Sequence, residues 1–246
     1  MLSPGHANRI ADAVELSSGI DRSRRGFLKS SIAGAAAGML AGAGLDLAAP
    51  RVARAQTKLS PEGALHEMME GNRRFVEGRM TSFNGDLKML KAKTVEKQEP
   101  FGALLSCADS RVPVELAFDQ SIGHLFVTRV AGNVASSDII ASLEYGVAVL
   151  GTKAIMVLGH ANCGAVKASI TAKAVPGQIS ALYRYIRPAV DQAGGDLDAA
   201  IKANAKIQAA LLRESSPVIA DAIKQKQLTV VAAFYDLASG KVSLLD

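Results

Sequence analysis

The sequence predicts an α/β protein with a mostly parallel central sheet, about four parallel strands plus an edge strand, flanked by helices and preceded by an N-terminal helical arm. Three observations carry that expectation. Residues 101–107, 125–130, 154–158 and 228–234 are short apolar runs without polar alternation, as expected of strands buried on both faces. Segments of helical period lie between them, and the first clear one, 137–150, has the length of a crossover helix. Alternating strands and helices are the signature of βαβ units, whose sheet is parallel and covered on both sides.

Taken in chain order, residues 1–55 do not read as fold. Ser23-Arg24-Arg25-Gly26-Phe27-Leu28-Lys29 is a twin-arginine pattern followed by an Ala/Gly-rich run, and Ala53-Arg54-Ala55 supplies an A-x-A cleavage site. The expectation is a cleaved export signal, leaving a single domain over 56–246. The alternative is a membrane anchor. Against it stand Asp46 and a run built of Ala and Gly rather than Leu and Ile. The leader holds seven Lys/Arg against four Asp/Glu, so +3 of the chain's net +5 belongs to it. The domain at 56–246 is close to neutral and has no basic cluster, so there is no electrostatic reason to expect a nucleic-acid partner. Once the signal is removed, no membrane contact is expected either.

Ser60 can cap a helix over 61–79, with Pro61 in its first turn and Leu65, Met68, Met69 and Phe75 at helical spacing. Residues 86–97 form a second, Lys-rich helical stretch. The strands at 101–107, 125–130 and 154–158 come next, with the 137–150 helix before the third. A helical block at 178–225 precedes the strand at 228–234, and 241–245 is a short edge strand.

This order gives the chain's two cysteines a location. Cys107 ends the first strand and His160-Ala161-Asn162-Cys163 begins just past the end of the third. Carboxyl ends of parallel strands are where open α/β folds place their ligands. Two thiolates and an imidazole are a set that Zn²⁺ commonly takes as three protein ligands with an open fourth position. Asp109 and Arg111, two and four residues beyond Cys107, can address whatever fills that position. As a fourth ligand, Asp109 would close the site. Held by Arg111 in a two-pronged salt bridge, it would instead orient a zinc-bound water. Gly164, directly after Cys163, leaves room for backbone N–H groups. The rival reading of two cysteines in an exported chain is a disulfide. The twin-arginine route opposes it, because it carries proteins already folded, often with a cofactor inside, and two thiolates holding a metal would cross in that state.

These blocks resemble the β-class carbonic anhydrases. Cys107-Ala-Asp-Ser-Arg-Val-Pro113, Asp119-Gln-Ser-Ile-Gly123, Arg129-Val-Ala-Gly-Asn133, Ser142-Leu-Glu-Tyr145 and Gly159-His-Ala-Asn-Cys-Gly-Ala165 match that family's order and spacing. The resemblance implies a zinc enzyme interconverting CO₂ and water with bicarbonate and a proton, with one Zn²⁺ per subunit. It further implies Cys107, His160 and Cys163 as zinc ligands and Asp109 with Arg111 as the catalytic dyad. Gln98 falls where plant-type members bind substrate, and Phe126 and Tyr145 fall where they place pocket walls contributed by a neighbouring subunit of a homodimer or tetramer. The bland reading of that aromatic pair is ordinary core. Relatives of the same fold hydrolyse CS₂ or COS, and a non-catalytic bicarbonate-binding or structural-zinc protein is the remaining alternative. His124 departs from the family pattern. It is expected to be an ordinary exposed histidine, with proton relay as its alternative role.

Overall fold

A computed structural model describes residues 57–82, 94–95, 97–173 and 175–245. The leader, and the expected 86–97 helix apart from residues 94, 95 and 97, lie outside the described residues. No described helix is long and apolar enough to cross a membrane.

Helix α1 spans Pro61–Val76, where the Ser60 hydroxyl accepts from the Gly63 amide and Pro61 occupies the first turn. It stops short of the expected residue 79 because Glu77 caps it and Gly78 turns left-handed at φ +68°. Gly71 lets α1 lie directly on the loop at Phe118, since a Cβ there would fall 1.8 Å from the Phe118 carbonyl oxygen.

The sheet comprises β1 (Gly102–Ser106), β2 (Leu125–Arg129), β3 (Ala154–His160), β4 (Thr229–Tyr235) and β5 (Val242–Leu245), in the order β2-β1-β3-β4-β5. The first four run parallel and β5 pairs antiparallel on β4, so the predicted fold class holds. Every residue of β1 and β3 is buried, which explains why neither shows polar alternation. The register pairs Ser106 with both Arg129 and Leu158, so three carboxyl ends finish side by side.

Helices cover both faces. A short turn α2 (Val114–Ala117) joins α1 on one side, with Met68, Leu104, Phe118, Met156 and Leu158 in the core between them and the sheet. On the other side lie α3 (Ser137–Ala148), α4 (Gly164–Thr171), α5 (Tyr183–Ala193), α6 (Leu197–Ser215) and α7 (Pro217–Lys224). Leu105, Leu143, Ile155, Leu212 and Ile219 fill that layer. The expected 178–225 block is thus a 3₁₀ turn, Ile179–Leu182, and three helices. Left-handed glycines Gly194 and Gly195 break the first join, and Ser216-Pro217 breaks the second, where the Ser216 hydroxyl accepts from the Ile219 amide.

Candidate metal centre

The ends of β1 and β3 bring the two sequence segments together. Cys107 comes directly after β1 and is 4 % exposed. His160 is the last residue of β3 rather than lying beyond it, and is wholly buried. Cys163 sits at the cap position of α4, 1 % exposed. One ligating atom from each lies within 4.8 Å of the other two.

Each of the three is prepared for a cation. His160 Nδ1 lies 2.9 Å from the Ala161 carbonyl oxygen, which can only accept, so Nδ1 carries the proton and Nε2 keeps its lone pair. That Nε2 is buried without a hydrogen-bond partner. An orphaned buried acceptor is costly in a folded protein unless something fills it. The sulfurs share a proton unequally. A hydrogen bond from the Cys163 thiol pulls the Cys107 thiol well below the ordinary cysteine range, against the opposing effect of burial and with help from the Gly132 amide. Cys163 is pushed up in turn, chiefly by that same bond to Cys107 and by burial. Two soft sulfurs and a neutral imidazole converging on one point fit Zn²⁺.

Beside this cluster, Asp109 and Arg111 form a tight local pair. Asp109 Oδ1 accepts from the Arg111 backbone N–H and Nε, both at 2.9 Å, and Oδ2 accepts from Nη2 at 2.8 Å. Arg111 Nη2 also donates to the Asn162 carbonyl oxygen at 3.3 Å, tying the first segment to the second. The Arg111 side chain, first, and then its backbone N–H hold the Asp109 carboxyl well below the usual carboxylate range despite some burial. Asp109 Oδ2 stands 3.9 Å from His160 Nε2, so an ionised, acceptor-only oxygen faces the orphaned nitrogen.

Arg129 is a site residue that sequence reasoning missed in this role. From the end of β2 its Nε donates to the Cys107 carbonyl oxygen at 3.0 Å and its Nη2 to the Asp109 carbonyl oxygen at 2.7 Å. One guanidinium therefore fixes the backbone of a candidate ligand and of the carboxylate beside it. The signal was its place in the strand pairing, opposite Ser106. Gly164 opens α4, and a Cβ there would meet nothing within 4 Å, so the approach to the helix amides is clear.

The remaining predicted residues are not brought to this cluster within one chain. Phe126 pairs with Ala103, four residues before Cys107, which places it about 13 Å back along the strands. Tyr145 is 48 % exposed on α3, its ring centroid 6.2 Å from that of Phe126. Gln98 is exposed ahead of β1, at the same end. His124 lies there too. It is partly buried rather than exposed, because its Nδ1 is 3.2 Å from Gln120 Oε1 and its ring lies 6.2 Å from that of Phe101.

A family model described as carbonic anhydrase matches residues 103–242. The chain is 34 % identical to carbonic anhydrase 2 of Mycobacterium tuberculosis over 195 residues, covering 76 % of this chain and 94 % of that one. It is 36 % identical over 167 residues to a carbonic anhydrase of Pseudomonas aeruginosa, covering 61 % and 75 %. The solved β-carbonic anhydrase of Coccomyxa, in complex with acetazolamide, superposes with a TM-score of 0.58 at 28 % identity, over 74 % of this chain and 86 % of that one. A tetrameric β-carbonic anhydrase from Sordaria macrospora shares the fold, with a TM-score of 0.61 at 22 % identity over 74 % and 96 %. Parallel sheet, strand-end cluster and relatives agree: the chain belongs to the β-class carbonic anhydrase family.

Proposed function

We propose that the protein catalyses the reversible hydration of CO₂ to bicarbonate and a proton, at a Zn²⁺ held by Cys107, His160 and Cys163. The observation that carries this reading is the buried, unpartnered His160 Nε2, gathered with two sulfurs beside a carboxylate already gripped by an arginine. Zinc, when bound, lowers the pKa of a coordinated water from ~16 toward ~7 and so makes a nucleophile available near neutral pH.

The chain's own residues supply the rest. Two thiolates and a neutral imidazole balance the dication, leaving a formally neutral centre. Asp109 stays ionised, so it can only accept: it orients a group that still carries a proton, water in one direction and the bicarbonate hydroxyl in the other. Arg111 keeps that carboxylate turned toward the reacting position and away from ligation, which favours an open site over a permanently closed one. Gly164 leaves the amides of α4 accessible to substrate.

Gln98, Phe126 and Tyr145 act across a subunit interface in this reading, each chain lending them to its neighbour's centre in a homodimer or tetramer. The half-exposed Leu125, Phe126 and Val127 of edge strand β2, with exposed Tyr145 on α3 and Val149 just after it, supply an apolar surface for that contact. The leader is read as a cleaved twin-arginine signal delivering folded protein to the periplasm. Replacing Arg24 and Arg25 by lysines should hold the protein in the cytoplasm, and continued export would refute the route.

The deciding experiment is stopped-flow kinetics on zinc-loaded protein with CO₂, COS and CS₂ side by side. Rapid CO₂ hydration with about one zinc per subunit is expected. Full zinc with no hydration up to about pH 9 would overturn the catalytic reading. Turnover of CS₂ or COS in preference to CO₂ would reassign the substrate.

A further inference from the structure

The buried stripe of α6, from Ala200 to Leu212, is apolar except for Asn204 and Gln208, which are 0 % and 1 % exposed. Two primary amides in such a stripe need partners, and theirs are all specific. Asn204 Nδ2 donates to the Gly132 carbonyl oxygen at 2.9 Å. Gln208 Nε2 donates to Asn204 Oδ1 at 3.2 Å and to the Tyr185 carbonyl oxygen at 3.1 Å, and Gln208 Oε1 accepts from the Ala135 amide at 2.8 Å.

Their target is the irregular turn just after β2. Gly132 and Asn133 are successive left-handed residues, at φ +78° and +43°. A Cβ at Gly132 would fall 2.7 Å from Ile186 Cδ1 of α5, so the turn packs closely against that side chain. The Gly132 N–H donates to Cys107 Sγ at 3.3 Å. The amide pair pins the turn at the Gly132 carbonyl and at Ala135, and the N–H between turn and sulfur is held by what α6 grips.

We infer that Asn204 and Gln208 are positioning residues for the metal centre: through the 130–135 turn they aim the Gly132 N–H into the Cys107 sulfur. None of their hydrogen bonds reaches a proposed ligating atom. An N–H donated to a ligating thiolate withdraws electron density from sulfur and leaves the metal the stronger Lewis acid, which matters in a centre with two thiolate donors. This rests on the reading of Cys107 as a metal ligand.

The test uses the full chain with cobalt(II) in place of zinc, where the sulfur-to-cobalt charge-transfer band reports on the two proposed sulfur ligands, of which Cys107 receives the Gly132 N–H. Asn204→Leu and Gln208→Leu should move that band to lower energy and weaken zinc binding about 10-fold or more in chelator competition. Leu212→Ala, fully buried on the same helix, should lower stability while leaving the band in place. An unmoved band and unchanged affinity in Asn204→Leu would overturn the inference, and so would an equal shift in Leu212→Ala. Should the amide variants fail to fold, wild-type protein loaded with a spin-half cadmium isotope decides. A scalar coupling between the metal and the Gly132 amide proton is expected, and its absence refutes the N–H···S contact. A wild-type protein that takes up no cobalt fails differently, because it removes the metal reading itself.

Discussion

Asp109→Asn isolates the polarity of the residue beside the metal centre at nearly constant shape. With the amide oxygen at the Oδ1 position, the Arg111 backbone N–H and Nε keep their acceptor at 2.9 Å. The amide nitrogen then occupies the Oδ2 position, 2.8 Å from Arg111 Nη2 and 3.9 Å from His160 Nε2. Donor opposes donor at the first contact, and at the second an obligate acceptor has become a donor facing the reacting position. The reversed rotamer is worse, since it sets the nitrogen against two Arg111 donors. Removing one preorganised hydrogen-bonding group from an active site costs about 10²–10³ in kcat, or roughly 3–4 kcal/mol of barrier. Stopped-flow CO₂ hydration at matched zinc content should therefore fall by that factor. Because Arg111 holds Asp109 far below the usual carboxylate range, the wild-type rate should show no inflection from this group between about pH 5 and 9. A variant that retains kcat within about threefold of wild type, with zinc in place, would refute the role given to Asp109.

Arg129→Ala removes both donors that fix the Cys107 and Asp109 carbonyls, so zinc affinity should drop about 10-fold or more in chelator competition, and unchanged affinity would contradict the clamp. Asp119 gives a pH signature: burial pushes its carboxyl up, but bonds from Arg74, Ser82 and Thr81 outweigh that and hold it well below its ordinary range. A depressed folded-state pKa gives stability that is complete above the unfolded value near 4 and lost as pH falls through the folded one. Urea midpoints of wild type should thus decline below about pH 4 with a component that Asp119→Asn lacks, and parallel declines would exclude it. Tyr145→Asp puts a charge into the apolar patch of α3 and β2, so sedimentation should show dissociation toward monomer, with activity lost alongside; an intact oligomer would move the interface elsewhere.

Legibility in the sequence depended on the kind of partner each residue bonds. Cys107, His160 and Cys163 could be grouped because unalternating apolar runs located the strand ends. Asp109 and Arg111 could be paired because they are two residues apart and close on each other locally. Arg129 escaped because its partners are carbonyl oxygens, which carry no side-chain identity to read. Asn204 and Gln208 escaped for a related reason, as helical spacing marks them as buried without saying what they grip. The early end of α1 turned on Gly78, a single backbone conformation inside a continuing polar pattern. Phe126 stands four register positions back from Cys107, with Tyr145 beside it, so spacing along one chain could not place either at the cluster.

The placement of the candidate ligand set at the ends of adjacent central strands has a topological side. Cys107 and Cys163 stand 56 residues apart. An ion bonded to both would close a covalent-like ring around α2, β2, α3 and β3, while α4, α5, α6, α7, β4 and β5 hang outside it on the C-terminal side. By the relation used for disulfides, closing a ring of that length removes about 4 kcal/mol of unfolded-chain entropy. Force applied to the C-terminus would then peel β5, β4 and their helices away in sequence and stall at the ring. The metal would serve the chain as a mechanical clasp as well as a chemical centre.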